Sequence, residues 1–84
     1  MKIYSQYITA NTQVYTGKCY FLGLSCENGK GVAAYNVETS GNAASANRVL
    51  YHNGLGIVFP SPGVECSNGL YVVIDGNASI IYGI

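Results

Sequence analysis

Apolar and polar positions alternate along most of this chain, and turn residues cut the alternation into short pieces. The longest alternating run covers residues 18–27. Tyr20, Leu22, Leu24 and Cys26 share one face of it, and Cys19, Phe21, Gly23 and Ser25 share the other. Further strands are predicted over residues 3–9, 13–15, 31–38, 47–52, 57–59, 70–75 and 79–82, all rich in β-branched or aromatic residues. Asn28-Gly29, Asn53-Gly54, Asn68-Gly69 and Asp75-Gly76 supply the positive backbone angles of tight turns. Pro60 and Pro62 end the strand before them, because proline gives the ladder no N–H. No segment keeps a helical period for three turns, and residues 39–46 read as a polar loop with room for one helical turn. The expectation is all-β: a small antiparallel β-sandwich or barrel of about seven or eight short strands in one domain, residues 1–84.

Composition adds a second constraint. Of the 84 residues, 49% are hydrophobic and only 10% are charged, where a soluble domain carries about a quarter charged residues. A chain this short buries about 60% of its unfolded surface. Apolar residues on both faces of residues 70–75 therefore suggest that some apolar surface faces a partner rather than the interior. The formal net charge is zero, and Lys2, Lys18, Lys30 and Arg48 are dispersed, so no basic face is available for nucleic acid. No run approaches the roughly 20 apolar residues of a membrane helix, and residues 1–7 lack the apolar stretch of a secretory signal. Synthesis in the cytoplasm is the expectation.

The inventory for catalysis is thin. His52 is the one histidine, and Ser61, Ser67 and Cys66 are the nucleophiles to consider beside it, but none sits in a nucleophile motif. Glu27, Glu38, Glu65 and Asp75 are scattered, and Asp75 before Gly76 reads as a turn residue. Gly29-Lys30-Gly31 and Gly54-Leu55-Gly56 form no phosphate loop, and Asn77-Ala78-Ser79 matches the glycosylation triplet in a chain without a secretory signal. Cys19, Cys26 and Cys66 read as small buried hydrophobes, with a Cys26–Cys66 bridge as the competing arrangement. Cys19 and Cys26 fit no zinc spacing, so no metal or cofactor is expected. Eight tyrosines are many for this length. Tyr4, Tyr7, Tyr15, Tyr71 and Tyr82 are the candidate interface residues, with ordinary strand packing as the alternative. Tyr35, Tyr51 and Tyr71 are the tyrosines that a sugar platform would use.

The string Phe59-Pro60, then Gly63-Val64-Glu65-Cys66-Ser67-Asn68-Gly69-Leu70-Tyr71-Val72, Asp75-Gly76 and Ile80-Ile81-Tyr82 resembles small β-sandwich virion proteins of tailed bacteriophages. Lys18-Cys19-Tyr20-Phe21-Leu22-Gly23-Leu24 and Val32-Ala33-Ala34-Tyr35-Asn36-Val37 are similar to two earlier strands of that family. The likeness runs from about Gly17 onward, and residues 1–16 stand apart as a segment for assembly contacts. The resemblance implies a structural protein of the virion without enzyme activity, of the capsid decoration or cement kind. It implies a homo-oligomer, a trimer, bound to the major capsid protein or other virion proteins. A neck, tail or fibre module is the alternative within the virion, and a carbohydrate-binding β-sandwich is the alternative outside it.

Overall fold

A computed structural model describes every residue except Gly54, Leu55 and Ser61, and residues 27–30 by their backbone alone. It contains β1 (Ile3–Ile8), β2 (Thr12–Thr16), β3 (Cys19–Tyr35), β4 (Arg48–His52), β5 (Gly56–Val58), β6 (Val64–Cys66) and β7 (Gly69–Gly83). The predicted polar loop holds two single 3-10 turns, Ser40–Asn42 and Ser45–Asn47. Every strand pairing is antiparallel, so the all-β expectation holds.

Two strands organise the rest. β3 has 17 residues and β7 has 15, and they pair from Tyr20 opposite Gly83 to Tyr35 opposite Tyr71. β1 and β2 follow each other along the far edge of β7. β4, β5 and β6 follow each other along the far edge of β3. The sheet is thus four long rows, folded across their middle so that its inner face closes on itself. The first half holds β1, the end of β7, the start of β3, and β5 with β6. The second half holds β2, the start of β7, the end of β3, and β4.

The fold line crosses two of the predicted turns and corrects them. Asn28 pairs with Asn77 and Gly29 with Gly76, so neither Asn28-Gly29 nor Asp75-Gly76 reverses the chain. Each predicted pair of strands around them is one continuous strand. β3 carries an extra residue on either side of this point, between Cys26 and Asn28 and between Gly29 and Gly31. Such bulges bend a strand and increase its twist, and Gly76 supports the bend with φ 128°. Long strands that pass from one layer to the next through bulges are a known way of turning a sheet corner. Asn68-Gly69 does lie at a strand boundary, between β6 and β7. The Asn53-Gly54 turn falls partly outside the described residues.

Both halves contribute to one core. Phe21, Leu24, Ala78 and Ile80 from the first half pack with Val32, Ala34, Leu70 and Val72 from the second. Burying each of the larger ones stabilises the fold by about 1.5–3 kcal/mol. A third bulge, at Leu22, corrects the predicted faces of β3: Phe21 pairs with Tyr82 but Gly23 with Ile81. The phase flips there, so Cys19 and Phe21 point inward together with Leu24 and Cys26, all buried. β7 has no such shift, so Leu70, Val72, Ala78 and Ile80 keep one parity along the strand and all face in. The radius of gyration is 11.2 Å, against about 12 Å for a globular domain of this length, so the ribbon is fully folded onto itself.

Candidate functional site

The outer face of the first half holds exposed apolar residues around a few serines, and its charges, Glu65 opposite Tyr20 and the nearby Lys18, lie at the β6 end. Inward positions of β7 are Ala78 and Ile80, so Ser79, Ile81 and Gly83 point out. Their partners Tyr7, Ser5 and Ile3 on β1, and Ser25 and Gly23 on β3, share that side. β5 adds Ile57 opposite Ser25. The Phe59 ring and the Val58 carbonyl cover Gly23, where a Cβ would fall 2.8 Å from that oxygen, and the Met1 thioether lies over Gly83. None of these side chains carries a charge. Several are widely open to solvent: Met1 72%, Ile3 67%, Ile57 65%, Phe59 59% and Tyr7 52%. A polar outer face is the usual complement to a packed inner one in an antiparallel sheet, and this half departs from it. The residues come from strands distant in sequence, which is why Ile57, Phe59, Ile81 and Met1 could not be grouped from the sequence.

The candidate interface tyrosines divide into three places. Tyr4, Tyr15 and Tyr82 form one cluster: Tyr4 stacks on Tyr82 with centroids 5.6 Å apart, and Tyr15 sits 6.1 Å from Tyr82. Tyr15 and Tyr82 also pack against the core. This cluster joins β1, β2 and the end of β7, so residues 1–16 are built into the sheet. Tyr7 belongs to the apolar outer face, and Tyr71 lies half-buried on the outer face of the second half, opposite Tyr35.

That second outer face holds a shallow groove of about 440 Å³. Gly31, Ala33 and Val73 form its floor, and Tyr35, Tyr51, Arg48 and Asp75 rise around it. The small floor residues leave the aromatic rings standing proud, and the Tyr51 hydroxyl reaches over Gly31. The Arg48 guanidinium lies 5.4 Å from the Tyr51 ring centre, within range of a cation–π contact. Asn11 closes one side and is fixed there, its Oδ1 accepting from the Ile74 N–H at 2.9 Å. Arg48, Asp75 and Asn11 were not grouped by the sequence reading, because only the β2–β7–β3–β4 register brings them together.

The candidates for catalysis stand apart. His52 ends β4, half-buried opposite Val32 near the end of β3, whereas Cys66 lies opposite Cys19 at its start. Ser67 is hydrogen-bonded to the Asn36 amide at 3.4 Å, and Ser61 lies outside the described residues. The three thiols are free and buried. Cys66 faces Cys19, not Cys26, which corrects the bridge considered from the sequence; Cys26 lies opposite Gly56 and Ala78. Burial pushes the Cys19 thiol up to about 11, with the adjacent Cys66 adding to the rise, and burial also raises Cys66. A thiol held protonated is a poor nucleophile and a poor metal ligand. Among the described residues no cluster of His, Cys, Asp and Glu is arranged to hold a metal ion.

Within the string that carries the family resemblance, Asn68, Gly69, Leu70 and Val72 have structural roles. The Asn68 N–H donates to Asn36 Oδ1 at 2.8 Å, and its carbonyl accepts from the Gly17 N–H at 3.0 Å. Leu70 and Val72 are fully buried. Gly69 has φ 154°, and a Cβ there would fall 2.6 Å from the Val37 carbonyl and 2.8 Å from that of Tyr15. Compared with protein-family models, with curated proteins and with solved structures, the chain matches none.

Proposed function

We propose that this chain is a non-catalytic structural protein of a bacteriophage virion, a small β-sandwich of the capsid decoration kind that holds to copies of itself and to the shell. The observation that carries the reading is the apolar part of the outer face around Ile3, Tyr7, Ile57, Phe59 and Ile81. An exposed apolar sheet face of this kind marks a surface meant for another protein. Buried in an interface of about 800 Å² per partner, repeated over many symmetric copies, such a face gives strong total attachment without one tight site. The resemblance of the Asn68–Val72 string to phage virion proteins supplies the setting. Electron cryomicroscopy of particles from cells that produce the chain tests it. Density on the outside of the shell is the expected result. Density in the neck, tail or fibre keeps the structural role and moves its place, and absence from the particle refutes the reading.

The groove favours a second reading, carbohydrate recognition. Tyr35 and Tyr51 offer faces for a sugar ring, and Arg48, Asp75 and Asn11 offer polar partners for its hydroxyls. A glycan array decides: binding that is lost in Tyr51→Ala supports it, and a screen without hits removes it.

A further inference from the structure

We propose that two copies of this chain join through β1, edge to edge, about a two-fold axis at Ser5, so that one sheet continues into the other. The inference rests on the assembly reading above and names its contact.

β1 borders the sheet. It pairs with β7 on one side, and among the described residues no strand pairs with its other side. A row of backbone N–H and C=O groups is therefore left for another strand. The opposite border of the sheet is defended. It is broken into strands of 5, 3 and 3 residues, with Pro60 and Pro62 between two of them and Arg48 and Glu65 within them. β2 is interrupted by a bulge between Gln13 and Tyr15. β1 has none of these defences. Its 6 residues, Ile-Tyr-Ser-Gln-Tyr-Ile, hold an unbroken register with β7 and contain no charge, proline or glycine.

The pattern of β1 also matches itself. A two-fold axis perpendicular to the sheet keeps outer faces on one side, so residues that meet across the seam must have the same parity. With Ser5 on the axis, Ile3 meets Tyr7 of the second copy on the outer face, and Tyr4 meets Gln6 on the inner face. Ile–Tyr is a favourable cross-strand pair, and the small Ser5 side chains meet at the centre. The register centred on Gln6 instead leaves Ile3 beyond the strand, opposite Thr9. In the Ser5 register the two Lys2 side chains stand at opposite ends of the seam, about 20 Å apart, beyond the reach of screened repulsion. Pairing also joins the two outer faces into one continuous surface. The resemblance implies a trimer; the edge of β1 complements a second copy of itself.

Light scattering on the wild-type protein, of 8.9 kDa per chain, is expected to give a dimer. Ser5→Lys places two like charges on the axis and is expected to weaken the dimer by about tenfold or more, with the fold retained by circular dichroism. Ser5→Cys is the second arm: mild oxidation should link two chains through the new thiols, while Thr39→Cys in the exposed loop should not link them. A trimer, or a dimer indifferent to Ser5→Lys and not linked through Ser5→Cys, overturns the β1 pairing and leaves the structural role standing. A monomer at every concentration, absent from any particle, sinks both.

Discussion

Gly69→Ala is the substitution that most directly tests why the fold closes where it does. Gly69 opens β7 opposite Thr16, at a point where three chain segments converge. Its φ of 154° lies in a region that costs a residue with a Cβ roughly 1–3 kcal/mol. The added methyl would also meet the Val37 and Tyr15 carbonyls at 2.6 and 2.8 Å, and both are backbone atoms. Neither oxygen is free to retreat, because the Gln13 side-chain amide donates to both, at 2.9 and 3.0 Å. Displacing one of them forfeits a hydrogen bond worth about 1 kcal/mol. The total is about 2–4 kcal/mol, against a stability of about 4–12 kcal/mol expected for a domain of this size. In a thermal melt that corresponds to a fall of about 10–25 °C. Gly41→Ala is the control, since nothing lies within 4 Å of its Cβ position; it should change stability by less than about 0.5 kcal/mol. If the two variants melt together, the crowding argument fails.

The core predicts a second contrast. Phe21→Ala should cost about 3–5 kcal/mol in denaturant unfolding, whereas Ile57→Ala, on a strand whose side chain is mostly in water, should cost under about 0.5 kcal/mol and instead weaken association. The thiols give a pH dependence. Cys19 is ordinarily near 9.0 and is pushed up to about 11 in the fold, so between those values the unfolded chain loses a proton that the native chain keeps. Stability should be intact below pH 9 and fall as pH rises toward 11, and Cys19→Ala should flatten that decline in urea titrations at pH 8, 9.5 and 10.5. Lys18 and Glu65 approach to 3.8 Å with both side chains more than half exposed. Glu65→Gln should therefore shift the urea midpoint by an amount equivalent to less than about 1 kcal/mol, and a larger loss would mean that the pair is screened less than its exposure implies.

Much of the fold was legible because strand formation is a local matter. Alternation and β-branched content marked residues 31–38 and 70–75 as strands, while the partner strands decided that Leu70, Val72, Val32 and Ala34 face inward. Misreadings came where one residue type serves two purposes. Asn-Gly and Asp-Gly signal a hairpin, yet here they sit opposite each other in two unbroken strands and mark a bend. A turn and a bulge both ask for glycine, and only the partner strand tells them apart. The bulge at Leu22 had only Gly23 as a signal in the sequence, and the apolar residues on both faces hid the change of phase. The groove and the apolar face were illegible for a related reason. Tyr51 and Asp75 come to one groove, and Tyr7 and Ile57 to one face of the sheet, only through register.

By itself the sequence determined that the chain is all-β, poor in charge, and rich in apolar strand residues, because these follow from period-two alternation and composition. The tertiary structure decided which strands are continuous, which cysteines meet, and which apolar residues remain outside. Those outcomes depend on pairing between segments tens of residues apart. A single extra residue in one strand shifts the register and exchanges inside for outside.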